Sequence, residues 1–262
     1  MQEWLLLDSK TSSAVYNMAL DDALLDYAYD NDIPILRFYK WIRPTLSIGY
    51  FQKADNAVNF DKIKSKNFDF IRRPTGGRAV LHDKEITYSI TIPIKNIIFN
   101  LSILESYDLL CKPIVQAINN LGIKAYISDE DESSVNSPSC FAAPTFKDIK
   151  VNGKKIIGSA QMRDKRGILQ HGSILLKVSL DDIFEVLKLN YLKIDILTES
   201  KKKISCLIDE GFNKTEEDLK SEIVNCYESL LGVKFNNIID SDIINIDKFM
   251  IKYSSNEWNY RI

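Results

Sequence analysis

The amino-acid sequence predicts an α+β protein: a mixed β-sheet core with flanking helices, closed by a small helical C-terminal segment. Three observations carry that expectation. Short apolar runs of strand length are broken by turn signals at Arg43-Pro44, Gly76-Gly77 and Asn152-Gly153. Two longer stretches, from about Val15 to Tyr29 and from Leu101 to Leu121, place apolar residues at helical spacing. Beyond about residue 180 the pattern turns helical. With 262 residues, 45% of them apolar, the chain can bury a full core as one large domain, or as one domain with an appendage. The division expected is a main domain over 1–190 and a helical segment over 191–262 packed on it.

In chain order, Trp4 to Asp8 reads as a short strand. Ser12 and Ser13 can cap the helix that follows, where Met18, Leu25 and Ala28 lie beside Asp21, Asp22 and Asp26. Ile35 to Tyr39 and Thr45 to Tyr50 read as two strands. Phe70 to Arg73 enters the Gly76-Gly77 turn, and Ala79 to Ile92 leaves it as a single alternating strand. The helix over Leu101 to Leu121 is expected to kink or split at Pro113, which lacks the N–H the helix ladder needs. Ser128 to Ser139 is a polar loop, read either as a solvated surface segment or as one that orders over a substrate. Asn152-Gly153 is a strong hairpin signal, because both residues accept positive φ. A second hairpin, turning over Asp164 to Gly167, would set Arg163 opposite Ile168, Ala160 opposite His171, Ser159 opposite Gly172 and Gly158 opposite Ser173. Further on, Thr215 to Asp218 can cap a helix carrying Leu219, Ile223, Tyr227, Leu230 and Leu231, which Gly232 would end.

Several function classes are excluded by composition. The 34 basic and 36 acidic residues give a net charge of −2, so bulk charge does not suggest nucleic-acid binding. No apolar stretch is long enough to span a bilayer, and the first residues lack the basic region of a signal peptide, so a cytoplasmic protein without a membrane partner is expected. The four cysteines, Cys111, Cys140, Cys206 and Cys226, are widely spaced and are expected as reduced thiols. With only two histidines and no cysteine pair, a metal site is not expected.

The chemistry-bearing residues gather in two blocks. Cys140 and Lys155 bracket a short stretch that continues into Gly158-Ser159-Ala160 and His171-Gly172-Ser173. A thiol, an amine and two clusters of small residues suit acyl transfer, since a thiol attacks as thiolate and a nearby ammonium stabilises it. The second block is Arg72-Arg73-Pro74-Thr75-Gly76-Gly77-Arg78-Ala79-Val80-Leu81-His82. Its glycines permit close backbone approach and its arginines favour an anion, although a hairpin with solvated arginines reads the same way. His82 and His171 are each more simply read as hydrogen-bonded structural residues. Lys155, beside Lys154, would pass for a surface lysine, and Cys111, Cys206 and Cys226 for core thiols.

Together with Tyr16-Asn17-Met18-Ala19-Leu20-Asp21, Leu36-Arg37-Phe38-Tyr39, Pro44 to Gln52, Gly158-Ser159-Ala160-Gln161 and Lys252 to Asn259, these blocks span nearly the whole chain. In them the sequence resembles the octanoyltransferases of lipoate assembly, within the biotin/lipoate protein ligase superfamily, and most closely the cysteine-dependent branch of Gram-positive bacteria. The resemblance implies the biotin/lipoate protein ligase catalytic fold for the main domain. It implies that Cys140 takes an octanoyl group from octanoyl-acyl carrier protein as a thioester. A lysine of a lipoyl domain, with glycine cleavage H protein the expected acceptor, would then take it as an amide. By the same resemblance Lys155 assists Cys140, lowering its pKa and shuttling a proton. Arg72, Thr75, Gly76, Gly77, Arg78, His82, Gly158, Ser159, Ala160, His171 and Gly172 would form the substrate-binding site. Thioester-to-amide transfer is downhill, so no cofactor, neither ATP nor a metal, is expected. The alternatives are an ATP-dependent lipoate–protein ligase, an amidotransferase between lipoyl domains, and a non-catalytic carrier-binding protein.

Overall fold

The structure, a computed structural model, describes residues 2–129, 147–188, 202–237 and 244–261. Cys140, most of the polar stretch leading to it, and the expected boundary at 190 lie outside the described residues.

The chain opens with strand β1 (Gln2–Ser12), longer than its apolar run suggests, and helix α1 (Ala14–Asn31). Ser13 caps α1 by accepting from the Tyr16 amide, and Asp32 ends it in the left-handed region at φ 53°. Strands β2 (Ile35–Trp41) and β3 (Thr45–Ile48) follow. Two short helices, α2 (Ala54–Ala57) and α3 (Phe60–Ser65), lead to β4 (Asp69–Arg72). The run from Ala79 to Ile92 is not one strand. It divides at Asp83-Lys84 into β5 (Val80–His82) and β6 (Glu85–Pro93), which belong to different sheets. Helix α4 (Ile103–Asn120) starts at a capping box of Ser102 and Glu105 and runs through Pro113 as one helix, not as two.

Strands β7 (Ala125–Ile127), β8 (Ile149–Val151), β9 (Lys154–Asp164) and β10 (Gly167–Leu175) complete the middle of the chain. Asn152 and Gly153 turn between β8 and β9 with φ of 49° and 77°, as their sequence requires. Helix α5 (Leu180–Glu185) precedes α6 (Glu216–Leu231), which begins at a Thr215–Asp218 capping box and ends at Gly232 with φ 65°. The last segment is less purely helical than expected. Strand β11 (Val233–Asn237) pairs in parallel with β1, before helices α7 (Asp247–Ser254) and α8 (Asn256–Asn259).

Eight strands form one mixed sheet in the order β11-β1-β2-β6-β10-β9-β8-β7, and β4-β3-β5 form a small second sheet. The β9–β10 register is the one the hairpin arithmetic predicts, with Ala160 opposite His171, Ser159 opposite Gly172 and Gly158 opposite Ser173. Both faces of the large sheet are covered. On one, Leu36, Phe38, Tyr88, Ile90 and Ile174 pack against Leu110 and Ile114 of α4 and Ile223 and Tyr227 of α6. On the other, Ile35, Tyr39 and Trp41 pack against Met18, Leu24 and Ala28 of α1 and Phe249 and Tyr253 of α7.

The strict alternation of β6 has a particular consequence. Every residue of β6 is buried, so the polar set Glu85, Thr87, Ser89 and Thr91 does not face water. It lies on the α1 side, beside Arg37 of β2 and His171 and Ser173 of β10. Buried polar groups are stable only when they satisfy one another, and this face is where the functional site is built.

Candidate active site

A narrow cavity of about 30 Å³ opens on this polar face, between β9, β10 and the small sheet. Gly158, Ser159 and Ala160 form one wall and His171, Gly172 and Ser173 the next. Trp41, Ser47, Arg73 and His82 close it. Small residues at the facing positions of β9 and β10 keep the space open, and Gly172 cannot carry a side chain. A Cβ there would lie 2.4 Å from Ser159 Oγ and 2.6 Å from a Tyr88 ring carbon.

Two histidine–carboxylate pairs line this space. His171 Nδ1 lies 3.3 Å from Asp21 Oδ2, and its Nε2 lies 2.6 Å from Thr75 Oγ1. Burial pushes the His171 ring pKa below its ordinary value, and the opposing pull of Asp21 does not restore it. The reason is that Asp21 already has a cation. Arg37 Nη1 sits 2.7 Å from Asp21 Oδ1, and both side chains are wholly buried. Burial alone, the largest influence, would raise the Asp21 carboxyl, but Arg37, His171 and Ser89 together outweigh it and hold it below the usual range. His171 is therefore neutral, donating from Nδ1 to Asp21 and accepting at Nε2 from Thr75.

The second pair is His82 and Glu85. Nδ1 of His82 lies 2.7 Å from Glu85 Oε1, and Nε2 lies 2.8 Å from Ser47 Oγ. Trp41 stacks on the imidazole at 4.3 Å with the planes 18° apart, and its Nε1 donates to Thr87 Oγ1. Thr87 and Ser173 both donate to Glu85, which fixes that carboxylate.

Lys155 does not lie on the surface. Its side chain is fully buried, and Nζ is 2.8 Å from Asp148 Oδ1 at the start of β8. It sits three residues before Gly158 on the strand that forms the cavity wall, and it faces Lys150 across the β8–β9 pair. Lys154 beside it is exposed, as strand alternation requires.

The glycine block is not a hairpin. β4 and β5 are separated by β3, so Thr75 to Arg78 crosses the end of β3. Arg73 holds that crossing from inside, donating to the Ser47 carbonyl and hydroxyl and to the carbonyls of Gly76 and Arg78. Gly77 is exposed with φ 86°, and Gly76 and Arg78 are partly exposed at the edge of the block.

Arg72 points elsewhere. Its guanidinium donates to six backbone carbonyls, of Gly49, Tyr50, Gln52, Trp258, Asn259 and Arg261, and it does not line the cavity. That geometry ties the C-terminal helices to the small sheet and leaves the side chain no direction toward a substrate.

Of the expected site residues, the cavity brings together His82, Gly158, Ser159, Ala160, His171 and Gly172, with Thr75 bonded to His171 behind the wall. Asp21, Arg37, Trp41, Ser47, Glu85 and Tyr88 join them without a role expected from the sequence, and Arg73, read there with its neighbours as favouring an anion, is turned inward to Ser47. The signal for some was present: Asp21 and Arg37 are charged residues within apolar helix and strand patterns. The three cysteines expected as core thiols are buried, and burial pushes Cys111 up to about 12 and Cys226 up to about 11. Among the described residues, no three His, Cys, Asp or Glu side chains cluster as a metal ion requires, and no helix is long and apolar enough to cross a membrane.

The fold has clear counterparts among known proteins. The model of the lipoyl protein ligase A/B catalytic domain matches residues 13–226, and the chain belongs to that family. Within it, the chain is 38% identical to octanoyltransferase LipM of Carboxydothermus hydrogenoformans over the full length of both. It is 34% identical to octanoyltransferase LipM of Bacillus subtilis over 99% of both. Among solved structures it is similar to a lipoate-protein ligase A bound with ATP, with TM-score 0.80 and 25% identity over 99% of each chain. A bipartite lipoate protein ligase from Thermoplasma acidophilum shares the fold with TM-score 0.83 at 24% identity, over 99% of this chain and 97% of that one.

Proposed function

We propose that the protein transfers an octanoyl group from octanoyl-acyl carrier protein to a lysine of a lipoyl domain, by way of a thioester on Cys140. The full-length similarity to octanoyltransferases supports the reaction class. The observation in the structure that favours it most is the cavity on the polar face. Its serine and histidine groups are bonded to neighbours, as Ser159 to Tyr88 and Ser47 to His82, and most of the rest of the wall is small or apolar. A wall of small side chains with its polar groups internally bonded suits an apolar acyl chain.

In this reading Lys155, three residues before Gly158 on β9, supplies a positive charge to the thiolate and the tetrahedral oxyanions. The thiolate attacks the donor thioester carbon, the carrier thiol leaves, and the acceptor amine later displaces Cys140. Lys155 takes and returns protons in both halves. Asp148 holds the ammonium in place. The glycine cleavage H protein is the acceptor we expect. The proposed catalytic unit covers 1–190, with 191–262 packed on it.

The deciding experiment incubates the protein with octanoyl carrier protein without ATP and records its intact mass. An octanoyl adduct that Cys140→Ser abolishes, and that passes to an added lipoyl domain, is the expected result. Acylation that requires free octanoate and ATP would instead make the protein a ligase.

A further inference from the structure

Ser47, His82 and Glu85 form a connected array on the wall of the acyl cavity. The Ser47 hydroxyl lies 2.8 Å from His82 Nε2, and the opposite ring nitrogen lies 2.7 Å from Glu85 Oε1. A carboxylate accepts only, so Nδ1 carries the hydrogen, and in that tautomer the Nε2 lone pair is directed at Ser47. This is the order of nucleophile, base and orienting acid that defines a catalytic triad by geometry rather than by sequence position. The Trp41 stack and the bonds from Thr87 and Ser173 to Glu85 hold the array rigid. Arg73 Nη1 donates to Ser47 Oγ at 3.1 Å, so a cation faces that oxygen as its proton passes to His82.

We propose that this array gives the protein a second, cysteine-independent activity: hydrolysis of medium-chain acyl thioesters and esters through an acyl-Ser47 intermediate. Ser47 Oγ attacks the carbonyl carbon while His82 Nε2 takes its proton. The carbon–sulfur bond breaks, and the leaving thiolate receives that proton. Water then attacks the Ser47 ester, giving a proton to His82. The carbon–oxygen bond to Ser47 breaks, and Ser47 recovers the proton. The products are a carboxylic acid and a thiol, and water is the co-substrate.

The array rests on the reading of this cavity as the acyl site, and one contrast singles it out. Thr75, His171 and Asp21 are connected in the same order, but Asp21 also binds Arg37, Tyr39 and Ser89, and Thr75 is not on the cavity wall. That second chain is committed to holding α1 against the sheet. Ser47 and His82 both line the cavity.

The test uses the full chain carrying Cys140→Ala, which removes any hydrolysis through Cys140, with p-nitrophenyl octanoate as substrate. Hydrolysis about 10²-fold or more above buffer is expected, falling to the buffer rate when Ser47→Ala or His82→Gln is added. Incubating the same protein with an alkyl fluorophosphonate should place one adduct on the peptide containing Ser47. This labelling decides the matter even if a second substitution impairs folding. A buffer-level rate in Cys140→Ala, an unchanged rate after Ser47→Ala, or no adduct on Ser47 overturns the proposal. None of these bears on octanoyl transfer, which is read separately on the unsubstituted protein.

Discussion

Gly49 and Gly77 meet so closely that no side chain fits between them: a Cβ on Gly49 would lie 2.0 Å from the Gly77 carbonyl oxygen. The contact is backbone against backbone, so it cannot be relieved by a rotamer change. Gly49→Ala is expected to displace the Thr75–Arg78 crossing and to cost about 1–3 kcal/mol, the usual range for overpacking. Urea denaturation measures the loss, and transfer should fall with it, because Arg73 and Thr75 are anchored in that crossing. Unchanged stability would mean the two glycines separate in solution.

The paired small residues of β9 and β10 make a second prediction. Ala160→Phe places an aromatic ring into a cavity of about 30 Å³ and should abolish octanoyl transfer. Acetyl or butyryl donors should be less affected than octanoyl. Equal loss for every chain length would show that the variant damages more than the acyl wall.

Lys155 and Asp148 form a wholly buried ion pair at 2.8 Å. Removing Asp148 takes from the buried ammonium a carboxylate in direct contact with it, so Asp148→Ala should destabilise the fold by about 3–5 kcal/mol. Lys155→Arg keeps the charge but cannot give up a proton near neutral pH, and its planar head needs different room. Turnover should drop by orders of magnitude while thermal stability changes little by comparison. The pH dependence of Cys140 alkylation in Lys155→Ala provides the complementary reading, since only the thiolate reacts quickly. An alkylation profile identical to the wild type would remove Lys155 from thiol activation.

Arg72 should behave as a structural residue. Its six carbonyl partners lose their donor in Arg72→Ala, and each buried carbonyl left unsatisfied costs about 1–3 kcal/mol where water cannot replace it. Arg72→Lys cannot reach all of them. Both variants should lower the melting temperature, with donor KM in the surviving folded fraction nearly unchanged. A selective rise in KM with normal stability would return Arg72 to the binding site.

His171 and Asp21 set an acid sensitivity whose sign follows from their shifts. Burial lowers the His171 pKa in the folded state, so the unfolded chain binds the extra proton first. The stability from a neutral His171 is complete above the unfolded value of about 6.5 and declines as pH falls below it. The Asp21 carboxyl is also held below its ordinary value, so its contribution is complete above about pH 4 and is lost as pH falls through the folded pKa. Denaturation at pH 7.5 and 5.5 should show lower stability at the acid end, and His171→Gln should narrow the difference. A wild type equally stable at both values contradicts the burial argument for His171.

Much of this fold is legible locally. The Asn152-Gly153 turn, the Ser13 and Thr215 caps and the Gly232 stop are decided by residues within a few positions of each other, and the structure has them all. The β9–β10 register was equally accessible, because a hairpin's pairing follows from its turn. The division of Ala79 to Ile92 between two sheets was not. The alternation continues across Asp83-Lys84, and only pairing partners distant in sequence show that β5 joins β3 while β6 joins β2 and β10.

By itself, the sequence determined the α+β class, the caps at Ser13 and Thr215, the stop at Gly232, both hairpins and the grouping of small residues that keeps a cavity open. Each depends on backbone preference or short-range periodicity. Tertiary structure alone decided what the polar residues do. Glu85, Thr87 and Ser89 have the alternation of a half-exposed strand, yet they are buried: His82 of β5 bonds Glu85, Trp41 of β2 donates to Thr87, and Asp21 of α1 accepts from Ser89. Lys155 and Arg72 differ in the same way from their appearance in the chain: one is buried on Asp148, the other clamped on carbonyls, three of them more than 180 residues away. A charged side chain's role depends on which partners reach it once water is excluded, and those partners are brought by the fold.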